Sequence, residues 1–350
     1  MRILIAPDKF KHSLGASEVA KNIAAGLREV LPNAQLKCMP VADGGEGTAR
    51  VICDSAGGEP HRCEVHDPLG RRVMAHYCTI ENGATAVMEM SEAAGLWRLA
   101  PNERDPLRAN TFGTGEMLLD AMRRGVREII IGLGGSATND GGIGLARALG
   151  FRFVDADGSE TSNLLKVNRV IWPNELSLPR IVAAVDVRNP LCGERGATRV
   201  FGPQKGVTAE QVEVLDRALA HLAELTRGDL AKRPGAGAAG GLGFGLTSFC
   251  GAELRSGFEV VAERIGLRDA IAAHDVVVTG EGRLDAQTLE GKAPAGVAKL
   301  ARAEGKRVFA IVGTVSGGSE LFERVFAVGS IENAAALLRE RARELAQLLR

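Results

Sequence analysis

The sequence is poor in aromatic residues and has no net charge, and both features narrow the range of partners. Only 4% of its 350 residues are aromatic, which leaves few platforms on which nucleic-acid bases could stack. Lysine plus arginine and aspartate plus glutamate number 43 each, so no overall field attracts nucleic acid or an anionic membrane. We therefore expect a protein that binds neither.

Long apolar runs and paired cysteine motifs are also missing. No apolar run approaches the roughly 18 residues of a membrane span, and Pro7, Asp8 and Lys9 interrupt the apolar start of the chain too early for a signal peptide. The six cysteines form no Cys-x-x-Cys pair and no zinc-finger spacing, which favours buried or free thiols in a reducing compartment. We expect a cytoplasmic α/β protein, and the sequence leaves a homo-oligomer open.

Several catalytic signatures are absent as well. The chain has no Gly-x-Ser-x-Gly elbow, no His-Glu-x-x-His zinc motif, no Walker A motif and no HRD/DFG pair. These absences argue against an α/β-hydrolase, a zinc protease of that type, a P-loop enzyme and a protein kinase.

Glycine is abundant, most of all in the segment Gly132–Gly144 (GLGGSATNDGGIG), which we call the glycine loop. The apolar run Glu128–Ile131 before it predicts a buried strand, and Leu145–Leu149 after it predicts a helix. Backbone N–H groups of such a loop can face an anion, whereas a loop made only for turning needs fewer glycines. The candidate phosphate-binding residues are Gly134, Gly135, Ser136, Thr138 and Asn139.

Strand, polar loop and helix alternate at both ends of the chain. Arg2–Ala6 and Val276–Val278 predict buried parallel strands, with further strands at Arg180–Val185 and Arg307–Val312. From about residue 60, successive strands without long helices indicate a different domain. The sequence therefore predicts an α/β fold with a Rossmann-like parallel-sheet domain formed from both chain ends (1–59 plus 266–350) and an inserted mixed α/β domain (60–265).

A second glycine-rich run, Pro234–Gly245 (PGAGAAGGLGFG), has almost no polar side chains. A close crossing of two backbone segments, or a hinge, is as well supported there as a binding role.

Polar clusters follow the predicted strands, at the end where ligands bind to open α/β sheets. The spacing of Glu281 and Asp285 suits Mg²⁺, which accepts one or two carboxylates. Lysines near glycine loops suit phosphate, and a lone carboxylate at a strand end, such as Asp186, can accept a proton from a substrate hydroxyl. Besides the glycine loop with Asp186, the clusters are Asp8, Lys9, Lys11 and Ser13; Asp43 and Glu46; and Glu281, Arg283, Asp285 and Lys292.

One competing interpretation is a dinucleotide-binding loop. Gly132–Ala137 fits the pattern G-x-G-x-x-A, and Asp155 lies about where a ribose-binding acid is expected. Against it, Asn139–Gly142 continues the loop where the Rossmann helix should have begun. An NAD(P)-dependent oxidoreductase is therefore an alternative to phosphate chemistry, as is a non-catalytic effector-binding protein.

Six blocks spread from the start of the chain to about residue 300 resemble the class I glycerate kinases: IAPDKFKHSL, PVADGGEGT, GLGGSATNDGGIG, VDVRNPLCG with VFGPQKG, PGAGAAGGLGFG and TGEGRLDAQTLEGKAPAGVA. The resemblance implies transfer of the ATP γ-phosphoryl group to D-glycerate with Mg²⁺, in a cleft between two α/β domains. It favours 2-phosphoglycerate as the product and leaves 3-phosphoglycerate as the alternative.

The resemblance also implies a mechanistic hypothesis for these clusters. The glycine loop, with Lys11 or Lys292, would hold the ATP phosphates, and Asp186 would accept the proton of the glycerate hydroxyl. Arg283 would bind the glycerate carboxylate, beside Asp8 and Ser13. The expected Mg²⁺ ligands are Glu281 and Asp285, with Asp43 and Glu46 as alternatives.

The chain departs from the family pattern in two places. In the family's opening motif PDSFKGSL, Lys9 replaces a serine and His12 a glycine, while Lys11 is retained. The segment between Asp157 and Ile181 is short and lacks a glycine-rich stretch that the family usually carries, so a glycine contact expected there is in doubt.

Overall fold

The computed structural model describes residues 1–11, 13–285, 292–329 and 332–350. The strands are β1 (Arg2–Ile5), β2 (Gln35–Cys38), β3 (Glu59–His66), β4 (Arg72–Ile80), β5 (Thr85–Glu89), β6 (Glu128–Gly132), β7 (Arg152–Val154), β8 (Arg169–Ile171), β9 (Arg180–Val185), β10 (Glu253–Ser256), β11 (Val276–Thr279), β12 (Arg283–Leu284), β13 (Arg307–Val312), β14 (Thr314–Val315) and β15 (Arg324–Ala327).

The helices are α1 (Ala16–Val30), α2 (Thr48–Ala56), α3 (Ser91–Ala94), α4 (Phe112–Arg123), α5 (Ile143–Ala148), α6 (Ala197–Phe201), α7 (Ala209–Leu225), α8 (Ala238–Cys250), α9 (Gly257–Arg264), α10 (Leu267–Ala272), α11 (Ala293–Ala303) and α12 (Ala334–Leu349). Contacts divide the chain into two compact units. Unit 1 comprises Met1–Asp43, Arg50–Ala56 and Ser256–Arg350, and unit 2 comprises Gly44–Ala49 and Gly57–Arg255.

The sheet of unit 1 is built from both ends of the chain. Its strand order is β15-β13-β11-β1-β2, and each neighbouring pair is parallel. Ile3 and Ile5 of β1 pack in a core with residues of α1 and α12, whereas Leu4 between them is equally buried and lies outside that core. Because side chains alternate along a strand, both faces of this sheet are covered, which explains the continuous apolar runs of its strands.

Unit 2 contains a mixed sheet with the order β10-β9-β6-β5-β4-β3. The pairs β5–β6 and β6–β9 are parallel, whereas β3–β4 and β4–β5 are antiparallel. The register places Glu89 beside Gly132 and Gly132 beside Ala184, so the carboxyl ends of three neighbouring strands lie at one edge. The glycine loop leaves the sheet from this edge.

The fold class predicted from the sequence, α/β with a parallel sheet made from both chain ends, is confirmed. The predicted bounds of two strands, Arg180–Val185 and Arg307–Val312, agree with β9 and β13. The predicted domain bounds, 1–59 plus 266–350 and 60–265, stay a prediction, since compactness does not show that either unit folds alone.

Two further expectations concern cysteines and membranes. Cys38, Cys63, Cys192 and Cys250 carry free thiols, but Cys53 and Cys78 are each disulfide-bonded, so the expectation of free thiols was wrong for these two. Spacing along a chain does not show which thiols folding brings within disulfide range. Among the described residues, every helix is too short or too polar to cross a lipid bilayer.

Candidate active site

The carboxyl edge of the unit 1 sheet carries a buried carboxylate, Asp8. Its backbone N–H donates to the carbonyl oxygen of Gly280 at 2.8 Å, so the loops after β1 and β11 run side by side. Only 6% of Asp8 is exposed, and its Oδ1 accepts the backbone N–H of Lys9 at 2.6 Å. Burial raises the pKa of Asp8 to about 7; the charge of Asp43 adds to this, and Lys9 and Lys292 oppose it.

Lys9 lies between two carboxylates. Its Nζ is 3.8 Å from Oδ1 of Asp8 and 3.8 Å from Oδ1 of Asp43, although these acids follow different strands. The parallel arrangement of β1 and β2 is what brings them to the same edge.

The loop after β11 adds a second acidic group with basic neighbours. Oδ2 of Asp285 is 3.4 Å from Nε of Arg283, and its Oδ1 is 3.7 Å from Nζ of Lys292, which precedes α11. Glu281 is 7% exposed, and its backbone carbonyl accepts the N–H of Gly313 at 3.0 Å. Residues 286–291 of this loop lie outside the described residues.

Lys11 and Ser13 lie in the turn that follows Asp8. Both are exposed, and the backbone N–H of Ser13 donates to the carbonyl of Phe10 at 2.9 Å. A Cβ built on Gly282 would come within 3.3 Å of the Lys11 backbone nitrogen, so this turn lies against the loop after β11. His12, one of the departures from the family motif, lies outside the described residues. The structure thus gathers the predicted residues of the first and last clusters, with Asp43, at one edge of unit 1.

The other predicted residues belong to unit 2. Asp186 is exposed and directly follows β9, so it shares the sheet edge from which the glycine loop leaves β6. Glu46 is also exposed, on the segment Gly44–Ala49. Sequence reasoning missed Glu89, whose Oε1 fixes that segment by accepting the backbone N–H groups of Gly47 and Ala49 at 2.9 and 3.0 Å. The available signal was an acidic residue at the end of the apolar strand β5.

Much of the glycine loop is bound to neighbouring backbone. Oδ2 of Asp140 accepts the N–H and hydroxyl of Thr111, each at 2.8 Å, and the N–H of Gly144 at 3.1 Å. A Cβ on Gly134 would lie 2.5 Å from the Cα of Gly45. Several glycines and Asp140 therefore have packing roles within unit 2.

The candidate phosphate-binding residues of the loop differ in exposure. Thr138 and Asn139 are buried, and the Asn139 amide donates to the hydroxyl of Thr198 at 3.0 Å. Ser136 is 7% exposed, whereas Gly135 is exposed and Gly134 is half-buried. The assignment of all five residues to phosphate stays a prediction, and Gly134 and Gly135 are the most accessible of them.

Lys205 is a buried residue that sequence reasoning did not single out. It is 1% exposed, and its Nζ donates to the backbone carbonyl of Thr138 at 2.8 Å. It lies in the VFGPQKG block, and nothing in that block marks a lysine as buried.

The second glycine run is a crossing of two backbone segments. The N–H of Gly141 donates to the carbonyl of Gly240 at 3.0 Å, and a Cβ on Gly240 would lie 1.9 Å from the carbonyl oxygen of Thr138. The packing interpretation of this run therefore holds among the described residues. The Pro234–Gly245 run therefore packs directly against the backbone of the glycine loop.

The dinucleotide-binding alternative lacks its geometry. Helix α5 begins only at Ile143, well beyond the turn that a G-x-G-x-x-A motif requires. Asp155 follows β7, which pairs with β8 in a separate two-stranded sheet, and its Oδ1 accepts the backbone N–H groups of Asp157 and Ser159. Asp155 therefore stabilises the turn after β7.

The carboxylates of unit 1 suit a magnesium ion in their chemistry. Among the described residues no group of three or more His, Cys, Asp or Glu side chains is arranged to hold a metal. Mg²⁺ needs only one or two carboxylates when phosphates and water supply the other ligands. Asp8 and Asp43 are close enough for the charge of one to raise the pKa of the other, and a cationic ammonium already contacts both. This pair fits a divalent cation.

A parallel α/β sheet whose carboxyl edge carries paired acids and lysines is typical of an enzyme that handles phosphates. Comparison with known proteins specifies the class. The model of the glycerate kinase family matches residues 3–350. The chain is 44% identical over 324 residues to a glycerate kinase from Haemophilus influenzae, covering 89% of this chain and 86% of that protein. It is 42% identical over 356 residues to a glycerate 2-kinase from Escherichia coli, covering 95% and 93%.

A solved structure agrees. The chain matches a protein provisionally named glycerate kinase 2 from Salmonella typhimurium LT2 with a TM-score of 0.89 and 42% identity, over 100% of this chain and 98% of that one. The chain belongs to the glycerate kinase family. It is therefore a kinase, a phosphotransferase with an alcohol group as acceptor and ATP as donor.

Proposed function

We propose that this protein transfers the γ-phosphoryl group of ATP to the 2-hydroxyl of D-glycerate. The observation that carries the proposal is the similarity to a glycerate 2-kinase over 95% of the chain. Phosphorylation of the 3-hydroxyl is the alternative, because the two hydroxyls are carried by adjacent carbons of the same small substrate.

We assign the proposed roles from the charged and polar groups at the carboxyl edge of the sheet in each unit. In unit 1, Lys11 and Lys292 bind phosphate oxygens and Arg283 binds the glycerate carboxylate, with Ser13 beside the substrate. In unit 2, Gly134 and Gly135 offer backbone N–H groups, and the other predicted loop residues, Ser136, Thr138 and Asn139, keep that backbone in place. Catalysis then consists mainly of positioning and charge neutralisation, as is usual for phosphoryl transfer.

Asp186 is proposed to accept the proton of the attacking hydroxyl. It is exposed and directly follows β9, at the sheet edge from which the glycine loop leaves β6. An ionised carboxylate is the form that can take a proton.

We place Mg²⁺ at Asp8 and Asp43, because these two carboxylates lie close enough together to contact one cationic side chain. When bound, the ion neutralises phosphate charge. Asp285 is a single carboxylate that contacts Arg283 and Lys292 and is a weaker candidate. Glu46 is exposed and stays an alternative ligand. Glu281, a buried residue of the loop after β11, stays a candidate.

ADP release measured with ATP, Mg²⁺ and D-glycerate tests the reaction directly. We expect turnover that depends on all three, and a cytoplasmic location is part of the proposal because ATP is supplied there. L-Glycerate, other hydroxy acids and NAD serve as comparisons. Turnover with NAD and no dependence on ATP would contradict the proposal and favour the oxidoreductase alternative, and binding of ligands with no turnover at all would favour the effector-binding one.

A further inference from the structure

Lys9 has no role in the reaction as proposed, yet it occupies the centre of the acidic pair. Its ammonium is equidistant, at 3.8 Å, from one carboxylate oxygen of Asp8 and one of Asp43. The Lys9 side chain is 22% exposed and that of Asp8 8%, so this contact is largely shielded from solvent. A buried carboxylate needs a compensating charge, and Lys9 supplies one.

The surrounding charges continue this alternation. Lys292 interacts with both Asp8 and Asp285, and Arg283 contacts Asp285 from the other side. The resulting series of alternating acids and bases is Asp43, Lys9, Asp8, Lys292, Asp285 and Arg283. Within this series of described residues, three carboxylates alternate with three cationic side chains.

Such a balance leaves little attraction for a free divalent cation. An ion placed between Asp8 and Asp43 would be only a few ångströms from the Lys9 ammonium, and like charges at that distance repel strongly in a partly buried site. A polyphosphate changes the balance, because its oxygens offer the lysine an alternative partner and offer the cation additional ligands.

We propose that Lys9 is an internal counter-cation of the Asp8–Asp43 pair, and that a divalent cation binds this pair only together with a phosphate-bearing nucleotide that draws the Lys9 ammonium away. The inference rests on the proposed function in that ATP supplies this polyphosphate. It assigns Lys9 to phosphate binding in the loaded enzyme. Because coupling between two ligands is reciprocal, the cation must also strengthen nucleotide binding.

Mn²⁺ binding to the full-length protein tests whether Lys9 moves from the acidic pair to the phosphates. Free Mn²⁺ is measured by electron paramagnetic resonance in the presence and absence of ADP. For the wild type we expect Mn²⁺ to bind at least about tenfold more tightly with ADP than without it. Lys9→Met should bind Mn²⁺ at least about tenfold more tightly than the wild type without ADP, and should gain less from ADP.

Three variants complete the test. Lys37→Met removes an exposed lysine from β2 of the same sheet and should behave as the wild type. Lys9→Arg keeps a cation between the acids and should keep the weak binding of Mn²⁺ without ADP. Asp43→Asn should weaken Mn²⁺ binding in the presence of ADP. Circular dichroism confirms that each variant is folded.

Equal Mn²⁺ affinity of the wild type and Lys9→Met without ADP overturns the inference, as does a wild-type affinity that ADP does not change. Turnover of D-glycerate is measured in parallel on the wild type. If D-glycerate is turned over but ADP does not change the affinity for Mn²⁺, only the role of Lys9 is overturned. Coupled binding that Lys9→Met weakens, without turnover of D-glycerate, overturns the proposed substrate and supports the role of Lys9.

Discussion

Asp186 is the residue on which the proposed chemistry depends most. Asp186→Asn keeps the size of the side chain and removes its ability to accept a proton, so we expect kcat to fall more than about 100-fold. Asp157→Asn, an exposed carboxylate of the same unit, is the matched control and should leave kcat unchanged. A near-normal rate for the Asp186 variant, with its fold intact, would remove Asp186 as the base.

Lys205 has a different role, because it does not face solvent. Burial lowers the pKa of Lys205 to about 7, although the charge of Asp140 opposes this shift. An unfolded lysine keeps its proton up to about pH 10.4. Between these values the unfolded state binds more protons than the folded state, so the contribution of Lys205 to the free energy of unfolding rises with pH; below about pH 7 the buried charge is destabilising in full.

Lys205→Met removes this titration while keeping a long side chain in the core. We expect the unfolding free energy of the wild type, relative to that of the variant, to increase when urea unfolding is moved from about pH 6.5 to about pH 9. The comparison with the variant cancels the titration of the groups that do not interact with Lys205. A constant difference across that range would mean that Lys205 keeps its proton in the folded protein.

At the scale of elements, the crossing between the glycine loop and α8 is the most constrained contact. Gly240 has a φ of +66°, and a Cβ there would overlap the carbonyl oxygen of Thr138 at 1.9 Å. Gly251 has almost the same φ, +65°, but its Cβ would meet nothing within 4 Å. Gly251→Ala therefore carries only the backbone strain, about 1–2 kcal/mol.

Gly240→Ala carries that strain and the overlap together. We expect it to lower the free energy of unfolding by about 1–3 kcal/mol more than Gly251→Ala does, since overpacking costs about that much. Urea unfolding of both variants gives the difference. Equal losses would show that the backbone at Thr138 can move aside, and the crossing would then not fix the loop.

The strands were predictable from sequence because the physical cause is local. Buried parallel strands are apolar throughout, so β9 and β13 stand out as continuous runs with recognisable ends. The partner of the Pro234–Gly245 run could not be predicted from sequence. Its glycines pack against the backbone of the glycine loop, which lies about a hundred residues earlier in the chain. Helix α2 was missed because its nine residues are fewer than the window over which helical periodicity is recognised.

At the scale of the whole molecule, topology explains why the site was partly predictable. Parallel strands present their carboxyl ends at one edge, so acids and lysines after β1, β2 and β11 had to gather there. Which lysine pairs with which acid depends on side-chain placement within a few ångströms, and that is why the position of Lys9 between Asp8 and Asp43 came only from the structure. Lys205 was missed for the same reason, whereas Glu89 ends the apolar strand β5 and could have been noticed.

The central claim is the transfer of a phosphoryl group from ATP to the 2-hydroxyl of D-glycerate. ³¹P NMR of the reaction mixture with ATP, Mg²⁺ and D-glycerate tests it most directly, because the coupling of phosphorus to the attached carbon's protons distinguishes a secondary from a primary phosphate ester. We predict the doublet of 2-phosphoglycerate growing as ADP appears. The triplet of 3-phosphoglycerate would contradict the proposed hydroxyl, and ATP left unchanged would contradict the proposed reaction.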